Sequence, residues 1–82
     1  MPRRYGLKMR APPRITGTDL IGALERFGWR IVVQRVLVHL KHPSKAGRVT
    51  VPVHAGEIIG PALLRSVLRQ AALTAEELRG AL

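Results

Sequence analysis

The chain has 82 residues, with 14 Lys and Arg against 5 Asp and Glu, and a formal net charge of +9 at pH 7. That length predicts a single domain with a small core, which a hydrophobic content of 46% is enough to fold. The absence of cysteine excludes disulfide staples, thiolate nucleophiles and zinc–thiolate sites, no apolar run reaches the roughly 18 residues of a membrane span, and the excess of cations predicts a polyanionic partner.

Residues Met1 to Arg14 carry Arg3, Arg4, Lys8, Arg10 and Arg14 and no acid. Pro12 and Pro13 oppose a helix, so the stretch reads as a flexible basic arm, either a solvated tail or a nucleic-acid contact. It has no apolar segment of the kind a secretory signal needs, which together with the missing cysteines fits a cytoplasmic location. Ordered structure is expected from Ile15. Thr16 is a favourable N-cap, Asp19 completes a capping-box-like pair, and Ile15 with Leu20 occupies the two positions of a hydrophobic staple. Leu20, Ile21, Leu24 and Phe27 repeat at helical spacing and Gly28 suits a left-handed cap, which predicts a helix from Gly17 to Phe27.

A strand follows, in which Trp29, Ile31 and Val33 alternate with Arg30, Val32 and Gln34. Arg35 marks a tight turn without help from Gly or Asn. The stretch from Gln34 to His54 then reads as a hairpin, with two β-branched runs around Pro43, Ser44 and Gly47. Period two places Val36, Val38, Leu40, Val49, Val51 and Val53 on an aliphatic face, and His39, Lys41, Arg48 and Thr50 on the other. After a loop, Pro61 stands at a first helical position. Leu64, Val67, Leu68 and Ala71 form a stripe, and Thr74 with Glu77 caps a last short helix that Leu78 and Leu82 dock. The expected fold is α+β: a three-stranded antiparallel meander covered on one face by two helices, in the order α-β-β-β-α, with a short C-terminal helix.

The words Ile15-Thr16-Gly17, Leu24-Glu25-Arg26-Phe27-Gly28-Trp29, Lys41-His42-Pro43, Arg48-Val49-Thr50-Val51-Pro52-Val53-His54, Gly60-Pro61 and Leu64-Arg65-Ser66-Val67-Leu68-Arg69-Gln70-Ala71 stand in this order. Together they resemble the HicA (YcfA-like) mRNA interferase toxins, over residues 15–82. The resemblance implies a fold like that of a double-stranded-RNA-binding domain, metal-independent cleavage of mRNA with no small-molecule cofactor, and restraint by a HicB-like antitoxin. It also implies a catalytic histidine in a Gly-Ser-His segment opening the second strand. Here that segment is altered: aligned on Lys41-His42-Pro43, the catalytic position falls at Leu37.

His39 shares a strand face with Leu37 and is the candidate to supply acid–base chemistry, because imidazole titrates near neutrality. Arg35, Lys41, Lys45 and Arg48 are the candidate RNA-binding cations. They lie in a window from Glu25 to Glu57 that contains no acid between its ends and holds all three histidines. His42, before a proline, is expected to shape its turn, and His54 is either structural or antitoxin-facing. With no acid beside them, the histidines make a poor metal site. Phe27 and Trp29, at a helix–strand junction, suit the core better than base stacking. Beside a ribonuclease toxin stands a catalytically inactive RNA-binding or antitoxin-binding module of the same fold. A ribosome-associated structural protein has only the charge in its favour.

Overall fold

A computed structural model describes residues 13–82. Apart from Pro13 and Arg14, the basic arm expected at the N-terminus lies outside the described residues. The elements are α1 (Gly17–Arg26), β1 (Arg30–Gln34), β2 (Leu37–Lys41), β3 (Val49–Pro52), α2 (Pro61–Ala71) and α3 (Ala75–Ala81). The strands form one antiparallel sheet in the order β1-β2-β3.

Both expected capping boxes form. Thr16 Oγ1 accepts from Asp19 N–H at 3.2 Å and Thr74 Oγ1 accepts from Glu77 N–H at 3.0 Å. The return bond to the cap backbone is 2.8 Å from the longer Glu77 and 3.4 Å from the shorter Asp19. Helix α1 closes in a Schellman arrangement: Trp29 N–H donates to Leu24 O at 3.1 Å and Gly28 N–H to Glu25 O at 3.0 Å. Gly28 takes the left-handed φ of +95° that this closure requires. Helix α2 closes in the same way, with Ala72 rather than glycine at φ +58°.

The core lies between the helices and one face of the sheet. Leu20, Leu24, Trp29, Leu40, Val49, Val51, Leu64 and Leu78 have no exposed surface. Burial of each large aliphatic side chain is worth about 1.5–3 kcal/mol. A bridge between Thr16 and Ile58, and a 2.8 Å bond from Ile59 N–H to Ile15 O, tie the start of the domain to the loop before α2.

Three expectations about side-chain placement need correction. Ile31 pairs with Leu40, but Val33 pairs with His39, because a bulge at Val32 inserts one extra residue into β1. Val33 therefore leaves the face that Ile31 occupies and joins that of His39, while Gln34 moves to the helix side. Val36 does not extend the buried aliphatic row; it stands in the β1–β2 turn, 61% exposed. Helix α3 docks through Leu78 and Ala81, and Leu82 stays half exposed.

Candidate nucleic-acid interface

No described helix packs on the sheet face that carries His39, and the register orders that face in rows. In the first row Arg30 of β1 stands opposite Lys41 of β2. Arg48 immediately precedes β3, and the pairing of Val49 with Leu40 puts it at the same end of the sheet as Lys41. All three are exposed, and among the described residues none makes an ion pair or a side-chain hydrogen bond. In the second row Val33, His39 and Thr50 are cross-strand partners. In the third, Leu37 stands opposite Pro52. Neighbouring strands lie about 4.8 Å apart and successive rows roughly 7 Å apart.

His39 sits at the centre of this face, half buried. Its Nδ1 is 2.8 Å from Thr50 Oγ1, a hydroxyl that can accept from the Nδ1–H tautomer or donate to the other. Nε2 has no partner among the described residues. The ring is thus held at one nitrogen and open at the other, beside three unpaired cations. A group held at one end, with a free basic nitrogen and cations within one row, can bind a phosphodiester and move a proton at it.

His42 contrasts with it. Nε2 lies 2.9 Å from Phe27 O, a carbonyl that only accepts, so Nε2 carries the proton. Nδ1 then accepts from Ser44 N–H at 3.0 Å and from the Ser44 hydroxyl at 3.2 Å. The ring meets Trp29 in a T-shaped contact, centroids 5.3 Å apart and planes at 65°. With both nitrogens occupied, His42 shapes its turn as expected and also pins the β2–β3 loop to the end of α1.

The expected cations divide. Lys41 and Arg48 stand with His39. Arg35 is not brought to them: it lines a groove of about 370 Å³ between α1 and β1, with Ile21, Glu25 and Gln34, on the helix side of the sheet. The ammonium of Lys45 donates to Ala71 O at 3.0 Å, at the carbonyl end of α2, where a cation satisfies the last turn and the helix dipole. Sequence reading missed Arg30. Counting back from the Gln34–Val38 pair would set Arg30 opposite His42, and the bulge at Val32 is what brings it opposite Lys41. His54 is exposed, its carbonyl accepting from Glu57 N–H in the turn after β3. Phe27 is half buried against the core and Trp29 is fully buried, its Nε1 without a partner among the described residues.

Among the described residues no three His, Asp or Glu side chains come together as metal ligands, and no helix is long and apolar enough to cross a membrane. Residues 17–73, well over half of the chain, match a family model described as the HicA toxin of bacterial toxin–antitoxin systems. No curated protein matches the chain.

Proposed function

The chain belongs to the HicA toxin family, whose members are toxins paired with an antitoxin, and from that premise we propose that it is an RNA-binding toxin that cleaves mRNA on its open sheet face. The observation that carries this reading is His39, with Nδ1 on Thr50 and Nε2 free, one row from Arg30, Lys41 and Arg48. Phosphates bind the cation row. Neutral His39 takes the proton of a ribose 2′-hydroxyl at Nε2. The 2′-oxygen then bonds to the adjacent phosphorus, and the bond from phosphorus to the 5′-oxygen breaks, with that oxygen protonated by the imidazolium or by water. The cations stabilise the extra charge of the five-coordinate phosphorus. No step calls on a metal or cofactor. The partner is a HicB-like antitoxin with an acidic surface that covers His39 and Lys41, and the site of action is the cytoplasm.

A second reading, an RNA-binding or antitoxin-binding module without cleavage, rests on Leu37, which occupies the strand position where the resemblance puts the catalytic histidine. Cleavage of a labelled mRNA in the presence of a chelator separates the two. The expected result is activity in the native chain and its loss in His39→Ala. Silence of the native chain, with activity gained when Val36→Ser and Leu37→His are introduced together, would establish the second reading.

A further inference from the structure

The open face has three rows, and the proposed cleavage uses only two of them. Arg30, Lys41 and Arg48 form the cationic edge. Beyond the His39–Thr50 row the face turns apolar: Leu37 is 46% exposed and Pro52 stands opposite it, and the bulge at Val32 brings Val33 to the same face, in the His39 row next to them. Strands normally put polar side chains on a solvated face, so three apolar side chains on the same face as a row of cations with no partner among the described residues suit a ligand that is anionic along one edge and apolar along another. Single-stranded RNA has that form: with one phosphate on the cation row, the strand can run across His39 and lay the base of a neighbouring nucleotide on Leu37 and Pro52, two rows or roughly 14 Å away.

Resting on the reading above, we propose that Leu37, Pro52 and Val33 form a nucleobase subsite, and that the RNA this face takes is single-stranded. The base faces of a duplex are stacked inside and present nothing to an apolar row. An unpaired base exposes one face that aliphatic side chains can cover without regard to sequence. On this account the position where the resemblance expects a histidine has become part of the wall that holds the base. The bulge at Val32 matters as well, since it sets Val33 across from His39.

Fluorescence anisotropy with 2′-O-methyl oligoadenylate, which cannot be cleaved by 2′-hydroxyl attack, tests the subsite. Three probes are compared: the intact oligomer, the same oligomer with central abasic residues, and a 2′-O-methyl duplex of equal length. The expected result is binding of the intact strand, with affinity about tenfold weaker for the abasic strand and weaker again for the duplex at matched salt. Leu37→Ser, at a half-exposed position that tolerates it, should erase the difference between intact and abasic strands while leaving the salt dependence unchanged. Equal affinity for intact and abasic strands, with a normal salt slope, would overturn the subsite and leave the phosphate-binding reading standing. So would a Leu37→Ser protein that binds all three probes as before but loses its antitoxin, because the apolar row would then belong to a protein partner. Failure to bind any RNA would bring down both proposals.

Discussion

His39 and His42 are three residues apart on one hairpin, and the fold uses them in opposite ways. His42 has each ring nitrogen committed, to Phe27 and to Ser44, and packs T-shaped against a fully buried tryptophan. His39 has one nitrogen on Thr50 and the other without a partner among the described residues, on a face lined by cations. The even–odd step along β2 accounts for the split. His39 points to the open face, and the strand ends before His42, whose loop folds back toward α1. An imidazole with both nitrogens occupied can only hold structure. One held at a single nitrogen is oriented and still has a proton to give or take.

Substitution at each histidine should separate the roles most sharply. His39→Ala is expected to lower cleavage about 10²- to 10⁴-fold, with a loss of stability no larger than the roughly 0.5–1.5 kcal/mol of its one bond to Thr50. His42→Ala is expected to do the reverse. Leaving the Phe27 carbonyl and the Ser44 amide without their partner costs about 1–3 kcal/mol in a denaturant titration, while the cleavage rate of the folded fraction stays within a few-fold of native. A His42→Ala protein that is fully stable but inactive would break the comparison.

Gly28 sharpens it from the other side. At φ +95° a side chain is strained, and a Cβ there would lie 2.8 Å from His42 Nε2. Gly28→Ala should cost about 1–3 kcal/mol, and clearly less when His42→Ala is already present, since the clash is then gone. Additive losses in the double-mutant cycle would show that the two do not act on one another.

Two lysines of the same hairpin repeat the pattern at lower energy. Lys41→Ala should reduce the slope of log affinity against log salt by roughly 0.7–0.9, one phosphate contact. Lys45→Ala should leave the slope alone and cost about 0.3–1 kcal/mol of stability, because its charge is spent on the end of α2. Equal slopes for the two variants would contradict the division. The smallest effect is expected away from both histidines. Ala72→Gly, which relieves the left-handed φ of +58°, should stabilise the fold by about 0.5–1 kcal/mol in the same titration, with RNA affinity unchanged.

The order of elements was readable because its signals are local. Thr16 with Asp19, Thr74 with Glu77, Pro61 and Gly28 each act within one turn of the residues they organise. The alternation in β2 and β3 also placed His39, Lys41 and Thr50 on one face. What escaped depends on contacts distant in the chain or on an inserted residue. Nothing in Ile31-Val32-Val33 announces a bulge, since all three residues suit either face, and the switch appears only when the strand pairs with β2. Lys45 looked like a free cation because the Ala71 carbonyl that binds it is 26 residues away. Arg35, next to a turn, had no periodicity to assign it, and it falls on the helix side.

The most direct test of the account is to map the bound RNA on the protein by amide and side-chain chemical shifts, titrating the native chain with 2′-O-methyl oligoadenylate. The shifts are expected to concentrate on Arg30, His39, Lys41, Arg48 and Thr50, with the His42 ring, Ser44 and Lys45 nearly still. Shifts centred instead on the exposed Arg65 and Arg69 of α2, with the His39 ring unmoved, would contradict it.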